Sequence, residues 1–154
     1  MQFPDLLPLE GHAMAEISYE SEGISYALDE KEQERLTEWI HKVAAHENKG
    51  IQAITFVFCS DDYLHRMNVE HLQHDTLTDV ITFHYSKNPI EGDIFISIDR
   101  IEENAATFGV SFEEELRRVM IHGVLHICGY KDKTKKDKAL MTQKEDEALG
   151  LLQP

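Results

Sequence analysis

The segment from Ser111 to Gly129 reads as a helix with almost no face left for water. Ser111 and Glu114 form an S-x-x-E capping box, which satisfies the unpaired N–H groups of a helix start. Leu116, Val119, Met120, Val124 and Ile127 then recur at the i, i+3, i+4 spacing of a buried stripe. Ile121 and Leu125 fall on the far side, so the helix is apolar nearly all round and belongs in a core. His122 and His126 lie on the border of the stripe, one turn apart, with Glu115 further up the same side. Gly129 can take the left-handed conformation that ends a helix and turns the chain back.

Two imidazoles in an apolar setting cost free energy unless something satisfies them. A lone buried histidine ordinarily does this by bonding a core carbonyl. A pair at i, i+4 can instead grip one metal ion, with a further ligand brought up by the turn. The first acidic or imidazole side chain after that turn is Asp132, which also reads as an ordinary turn residue. His71, His74, His84 and Asp137 are the other candidates for a third ligand. Cys128, two residues after His126, points to another face.

The remaining pattern places this helix in an α+β domain. Residues 1–13 carry Pro4, Pro8 and Gly11 and read as an irregular leader; residues 14–27 read as an interrupted strand or a hairpin around Gly23. Leu36, Trp39, Ile40 and Val43 make one apolar stripe on a helix from Asp29 to His46. Ile51 to Cys59 is a mostly apolar, interior strand, and Ser60-Asp61-Asp62 caps a short helix reaching about Asn68. A polar loop from His71 runs into a second strand that ends near His84. Glu91-Gly92-Asp93 reads as a turn into a third strand, Ile94 to Ile98. A helix over 99–109 stops at Gly109, and a last helix covers about 135–149. The expectation is one domain over residues 1–154, with a small, largely parallel mixed sheet of about four strands and helices packed on it.

A net charge of −14 over 154 residues argues against a protein that coats nucleic acid non-specifically. The cations are unevenly placed: Lys131, Lys133, Lys135, Lys136 and Lys138 all fall in the eight residues after Tyr130. Such a cluster beside a metal site suits phosphates, and it equally suits a solvated loop. Two cysteines at unrelated positions suggest no disulfide framework, no apolar run is long enough to span a membrane, and the N-terminus lacks the basic start of a signal peptide. A soluble cytoplasmic protein is expected.

His122-Gly-Val-Leu-His126-Ile-Cys-Gly129-Tyr130 resembles the H-G-x-L-H-x-x-G-Y signature of the YbeY family of bacterial rRNA-maturation endoribonucleases. Thr78-Asp79-Val80-Ile81-Thr82-Phe83 is similar to that family's P-T-D-V-L-S-F segment, and Gly92-Asp93-Ile94-Phe95-Ile96-Ser97 to its G-D-I-x-I-S strand. The likeness spans about residues 51 to 150 and includes the acidic Glu145-Asp146-Glu147. It implies one Zn²⁺ per chain, held by His122, His126 and, at the place of the family's third histidine, Asp132. A carboxylate is an acceptable zinc ligand, and three protein ligands leave a fourth position open. The family usually carries an arginine, thought to serve RNA cleavage, where this chain has Leu72.

The resemblance further implies a zinc-dependent, single-strand-specific endoribonuclease acting in 3′-end maturation of small-subunit (16S) rRNA and in ribosome quality control. Its partners would be precursor rRNA and the ribosome or assembly factors. Lys131, Lys133, Lys135 and Lys136 are the RNA-binding candidates. Asp79 is a strand-start cap, or a group that orients a ligand imidazole from behind. Two other functions compete. A non-catalytic ribosome-assembly factor with a structural zinc is compatible with Leu72. A zinc metallopeptidase would need the general base of H-E-x-x-H, and that position is Gly123.

Overall fold

A computed structural model describes residues 16–72 and 78–152 of the chain. The elements run β1 (Ile17–Glu22), α1 (Glu30–His46), β2 (Ile51–Cys59), α2 (Asp61–Leu72), β3 (Val80–Lys87), β4 (Ile90–Ser97), α3 (Ile98–Phe108), α4 (Phe112–Cys128) and α5 (Lys135–Gly150). Four strands form one mixed sheet in the order β1-β2-β4-β3. β1 and β4 both pair parallel to β2, and β3 closes one edge antiparallel to β4. This is the expected α+β class.

The sheet is covered on both faces, which is why its central strands are apolar on alternate and adjacent positions alike. On one face, Ile54, Phe56 and Phe58 of β2 and Ile94 and Ile96 of β4 share a core with α1 and α4. On the other, Leu64 and Met67 of α2 pack with Ile81, Phe83 and Phe95. The α1 stripe seen in the sequence is buried, and the Trp39 indole donates to the Ala148 carbonyl at 2.7 Å, fastening α1 to α5. Helix α4 is the central helix the sequence requires. Ser111 caps its start, and Gly129 ends it at φ +116°.

Several local expectations need correction. Of the two readings of residues 14–27, the described residues from Glu16 onward follow the strand: β1 ends at a left-handed Gly23 and pairs with β2, and no hairpin forms among them. Helix α2 runs to Leu72, one turn beyond Asn68. The turn expected at Glu91-Gly92-Asp93 lies instead at Asn88-Pro89, and those three residues are inside β4. Gly92 serves close packing, not turning. A methyl group there would sit 2.5 Å from the Phe83 carbonyl oxygen and 2.7 Å from Ile127 Cδ1. The third strand ends one residue early because Ser97 caps α3 by accepting from the Arg100 N–H. The leader and His74 lie outside the described residues.

Glu115 is the one buried carboxylate here without a hydrogen-bond or ion-pair partner among the described residues; it is only 6% exposed. Burial raises its pKa above the ordinary 4.5, and the negative charge of Asp79 adds to that against a smaller opposing effect of Arg118. A raised acid pKa means the folded state holds the proton more tightly than the unfolded one, so stability falls as pH rises through the window above 4.5. Replacing Glu115 by Gln should therefore raise the denaturation midpoint at pH 7, by a margin that closes as the pH falls below about 4.5, followed by urea melts across pH. Gly92→Ala should act in the opposite direction, costing about 1–3 kcal/mol in the same melts, because the clash is partly with backbone that cannot move aside.

Candidate metal centre

The site is assembled by α4, the turn after it, and the wall of β3. His122 and His126 project from one side of α4 with their rings edge to face, centroids 4.6 Å apart. Gly129 reverses the chain, and Tyr130 pins the returning segment by donating its hydroxyl to Glu47 at 2.6 Å. Asp132 then reaches back. Its Oδ2 lies 3.3 Å from His122 Nε2 and 3.2 Å from His126 Nε2. Ligand atoms of these three residues all lie within 4.8 Å of one another, and among the described residues no other group of three or more can hold a metal ion.

What keeps the His122 ring in place comes from α5. Glu145 Oε2 accepts a 2.6 Å hydrogen bond from His122 Nδ1, which leaves Nε2 facing Asp132. Glu145 is itself held by Arg118, whose Nη1 donates to its Oε1 at 2.8 Å while Nη2 donates to Asp146 at 2.8 Å. Burial draws the His122 pKa down. The hydrogen bond and charge of Glu145, with the charges of Asp132 and Asp79, outweigh it, so the net shift is upward. Two neutral imidazole nitrogens and one carboxylate oxygen aimed at one volume match the donor set of a three-ligand zinc site.

Asp79 stands beside this group in a hollow of about 290 Å³ that is also lined by Thr78, Thr82 and His84. Its carboxylate accepts from Asn104 Nδ2 at 3.3 Å, and its carbonyl accepts from the Ser97 N–H at 3.0 Å. The carboxylate that holds an imidazole from behind, at Nδ1, is thus that of Glu145. In the sequence it stands as one of three consecutive acids, Glu145-Asp146-Glu147. The available signal was its spacing: Met141, Glu145 and Ala148 make the buried face of α5, and an acid on such a face needs a partner.

The remaining candidates are spread out. Lys131 and Lys133 lie in the connecting loop and are exposed, whereas Lys135, Lys136 and Lys138 belong to the start of α5, not to a loop. That helix is started by a Thr134–Asp137 capping box, which occupies Asp137 away from the metal-binding group. His71 sits in the last turn of α2. His84 is the alternative ligand that the fold places on the wall of the site.

Fold and site together define an α+β protein with a two-histidine, one-carboxylate group able to hold a metal ion, set between a buried helix and a sheet edge. Comparison with known proteins makes this specific. The family model described as Endoribonuclease YbeY matches residues 16–153. A relative named Endoribonuclease YbeY from Flavobacterium johnsoniae is 50% identical over 139 residues, covering 90% of this chain and 96% of that one. Its namesake from Flavobacterium psychrophilum is 55% identical over 122 residues, covering 79% and 87%. Among solved structures, the solution structure of TM1509 from Thermotoga maritima aligns with a TM-score of 0.64 at 28% identity over 88% of each chain. The chain belongs to the YbeY family.

If Glu145 orients His122, Glu145→Gln should weaken zinc binding about 10-fold or more, read by competition with a chromophoric chelator. Asp146→Asn, which touches only the outer side of Arg118, should change it far less.

Proposed function

We propose that this chain is a single-domain, zinc-dependent endoribonuclease that hydrolyses phosphodiester bonds in single-stranded RNA, with one Zn²⁺ held by His122, His126 and Asp132. In the cell its substrate is the precursor of small-subunit rRNA, at the 3′ end, and its setting is ribosome maturation and quality control in the cytoplasm. The observation that carries the reading is the convergence of two histidine nitrogens and the Asp132 oxygen on one half-exposed volume, in a chain whose relatives are named as endoribonucleases. The location agrees with the finding that no described helix is long and apolar enough to cross a membrane.

When bound, the ion supplies Lewis acidity toward a phosphoryl oxygen and makes a coordinated water easier to deprotonate. The protein does the rest by placement. Glu145 fixes the ring and tautomer of His122. Asp132, on a short loop pinned at Tyr130, completes the donor set. The groups lie in an open hollow, so a flexible strand can bring one phosphate against them.

The metallopeptidase reading has little support in the geometry. The position where a peptidase carries its general base is Gly123, and a side chain there would meet Ile94 at 2.8 Å, inside the core and away from the hollow. The non-catalytic assembly-factor reading draws support from Leu72, which ends α2 with 39% of its surface exposed and offers no charge to a phosphate.

The deciding experiment is cleavage of a single-stranded RNA by the purified protein, with a chelator and His126→Ala alongside. Both treatments should abolish cleavage, and zinc should restore it to the wild type only. A wild type that holds zinc and cuts nothing would overturn the ribonuclease reading in favour of the assembly factor. Cleavage that survives in His126→Ala would assign the activity to a contaminant.

A further inference from the structure

Two hollows meet at the metal-binding group, and they are charged differently. His84, His126 and Asp132 line both. The first hollow continues along Thr78, Asp79 and Thr82, and its outlying charge is the Asp79 carboxylate. Residues 73–77, just before it in the chain, contain no lysine or arginine. The second hollow, about 350 Å³, continues along the end of β3 and the turn after α4, where Lys87, Lys131 and Lys133 line it.

These three lysines are free in a way that several other cations of the chain are not. Arg100, Arg117, Arg118 and Lys144 are each committed to carboxylates. None of Lys87, Lys131 and Lys133 has an ion-pair partner among the described residues. Lys87 is also positioned. Its stem lies over Gly129, so that a methyl group at that glycine would sit 3.4 Å from Cδ and 3.6 Å from Nζ. In a chain of net charge −14, three unpaired ammonium groups on one wall beside a metal-binding group form a local anion site. Asp79 on the other flank disfavours a phosphate there.

We propose that the protein grips its RNA on one side only: the phosphates on one flank of the bond to be cut lie along Lys87, Lys131 and Lys133, and those on the Asp79 flank are not held. The proposal rests on the ribonuclease reading and adds a polarity to it. Lys135, Lys136 and Lys138, carried off on α5, are not part of the track. A substrate must then extend past the scissile phosphate on the lysine side and can be short on the other.

Two measurements on the zinc-loaded protein test this, and the first needs no cleavage. Binding of a single-stranded RNA is followed by anisotropy against salt for the wild type, for Lys87→Gln, and for the variant carrying Lys87→Gln, Lys131→Gln and Lys133→Gln. One phosphate contact on a single strand contributes about 0.7 to the salt slope, so the slope should fall by about 0.7 and about 2 respectively. Zinc affinity and the melting midpoint should not move, because these side chains are outside the donor set and unpaired. An unchanged slope in the triple variant overturns the lysine track.

The second measurement places neutral methylphosphonate linkages on one side or the other of the cleaved bond. Neutralising one side should raise KM about 10-fold with little change in kcat, and neutralising the other should raise it less than about twofold. Equal effects on the two sides overturn the polarity. A slope that falls as expected in a protein that cuts nothing would leave the track standing and sink the ribonuclease reading alone.

Discussion

The structure depends on how closely α4 lies against β4. The contact is reciprocal. Ile127 of the helix covers Gly92 of the strand, and Ile94 of the strand covers Gly123 of the helix. At each point a side chain from one element occupies the space where the other would have carried a methyl group. Interiors packed at this density leave no slack for an added carbon. The axis of α4 is thereby set against the sheet, and the direction in which His122 and His126 emerge follows from it. Everything polar about the site is built outward from an apolar contact one residue further round the same helix: Gly123 follows His122, and Ile127 follows His126.

Around that fixed helix the electrostatics are graded. Arg118 of α4 holds Glu145 of α5, Glu145 holds His122, and His122 and His126 face Asp132, so an unbroken chain of polar contacts leads from the α4–α5 seam into the hollow. The negative charge near His122 opposes the desolvation of its ring. A cation arriving among these groups meets an environment already arranged for it, with little reorganisation left to do.

How much of this was legible in the sequence follows the physics of each element. Helix α4 announced itself, because a serine cap, a near-continuous apolar period and a terminal glycine all agree. Strand β2, buried on both faces, and the stripe of α1 were equally plain. Gly92 misled because a glycine in a strand reads as a turn by composition, and only the helix above it shows otherwise. Glu145 was obscured by its acidic neighbours, since which of three consecutive acids faces inward depends on the phase of α5. That phase is set by the Thr134 cap more than by the weak apolar pattern of the helix. The lysine cluster was visible as composition, but its division between a loop and a helix is a matter of where α5 begins.

The link from α4 to α5 has a consequence for how this site tolerates change. Only Tyr130, Lys131, Asp132 and Lys133 stand between the left-handed glycine that closes one helix and the threonine that opens the next, and the first of them is tied down at Glu47. The segment works as a measured tether between two anchored posts. Its span is dictated by the posts, so a residue added or removed would swing Asp132 away from the two imidazoles. An aspartate is shorter than a histidine. With a side chain this short, the Asp132 oxygen stands 3.3 and 3.2 Å from the two rings only because the tether carries its backbone close to the helix.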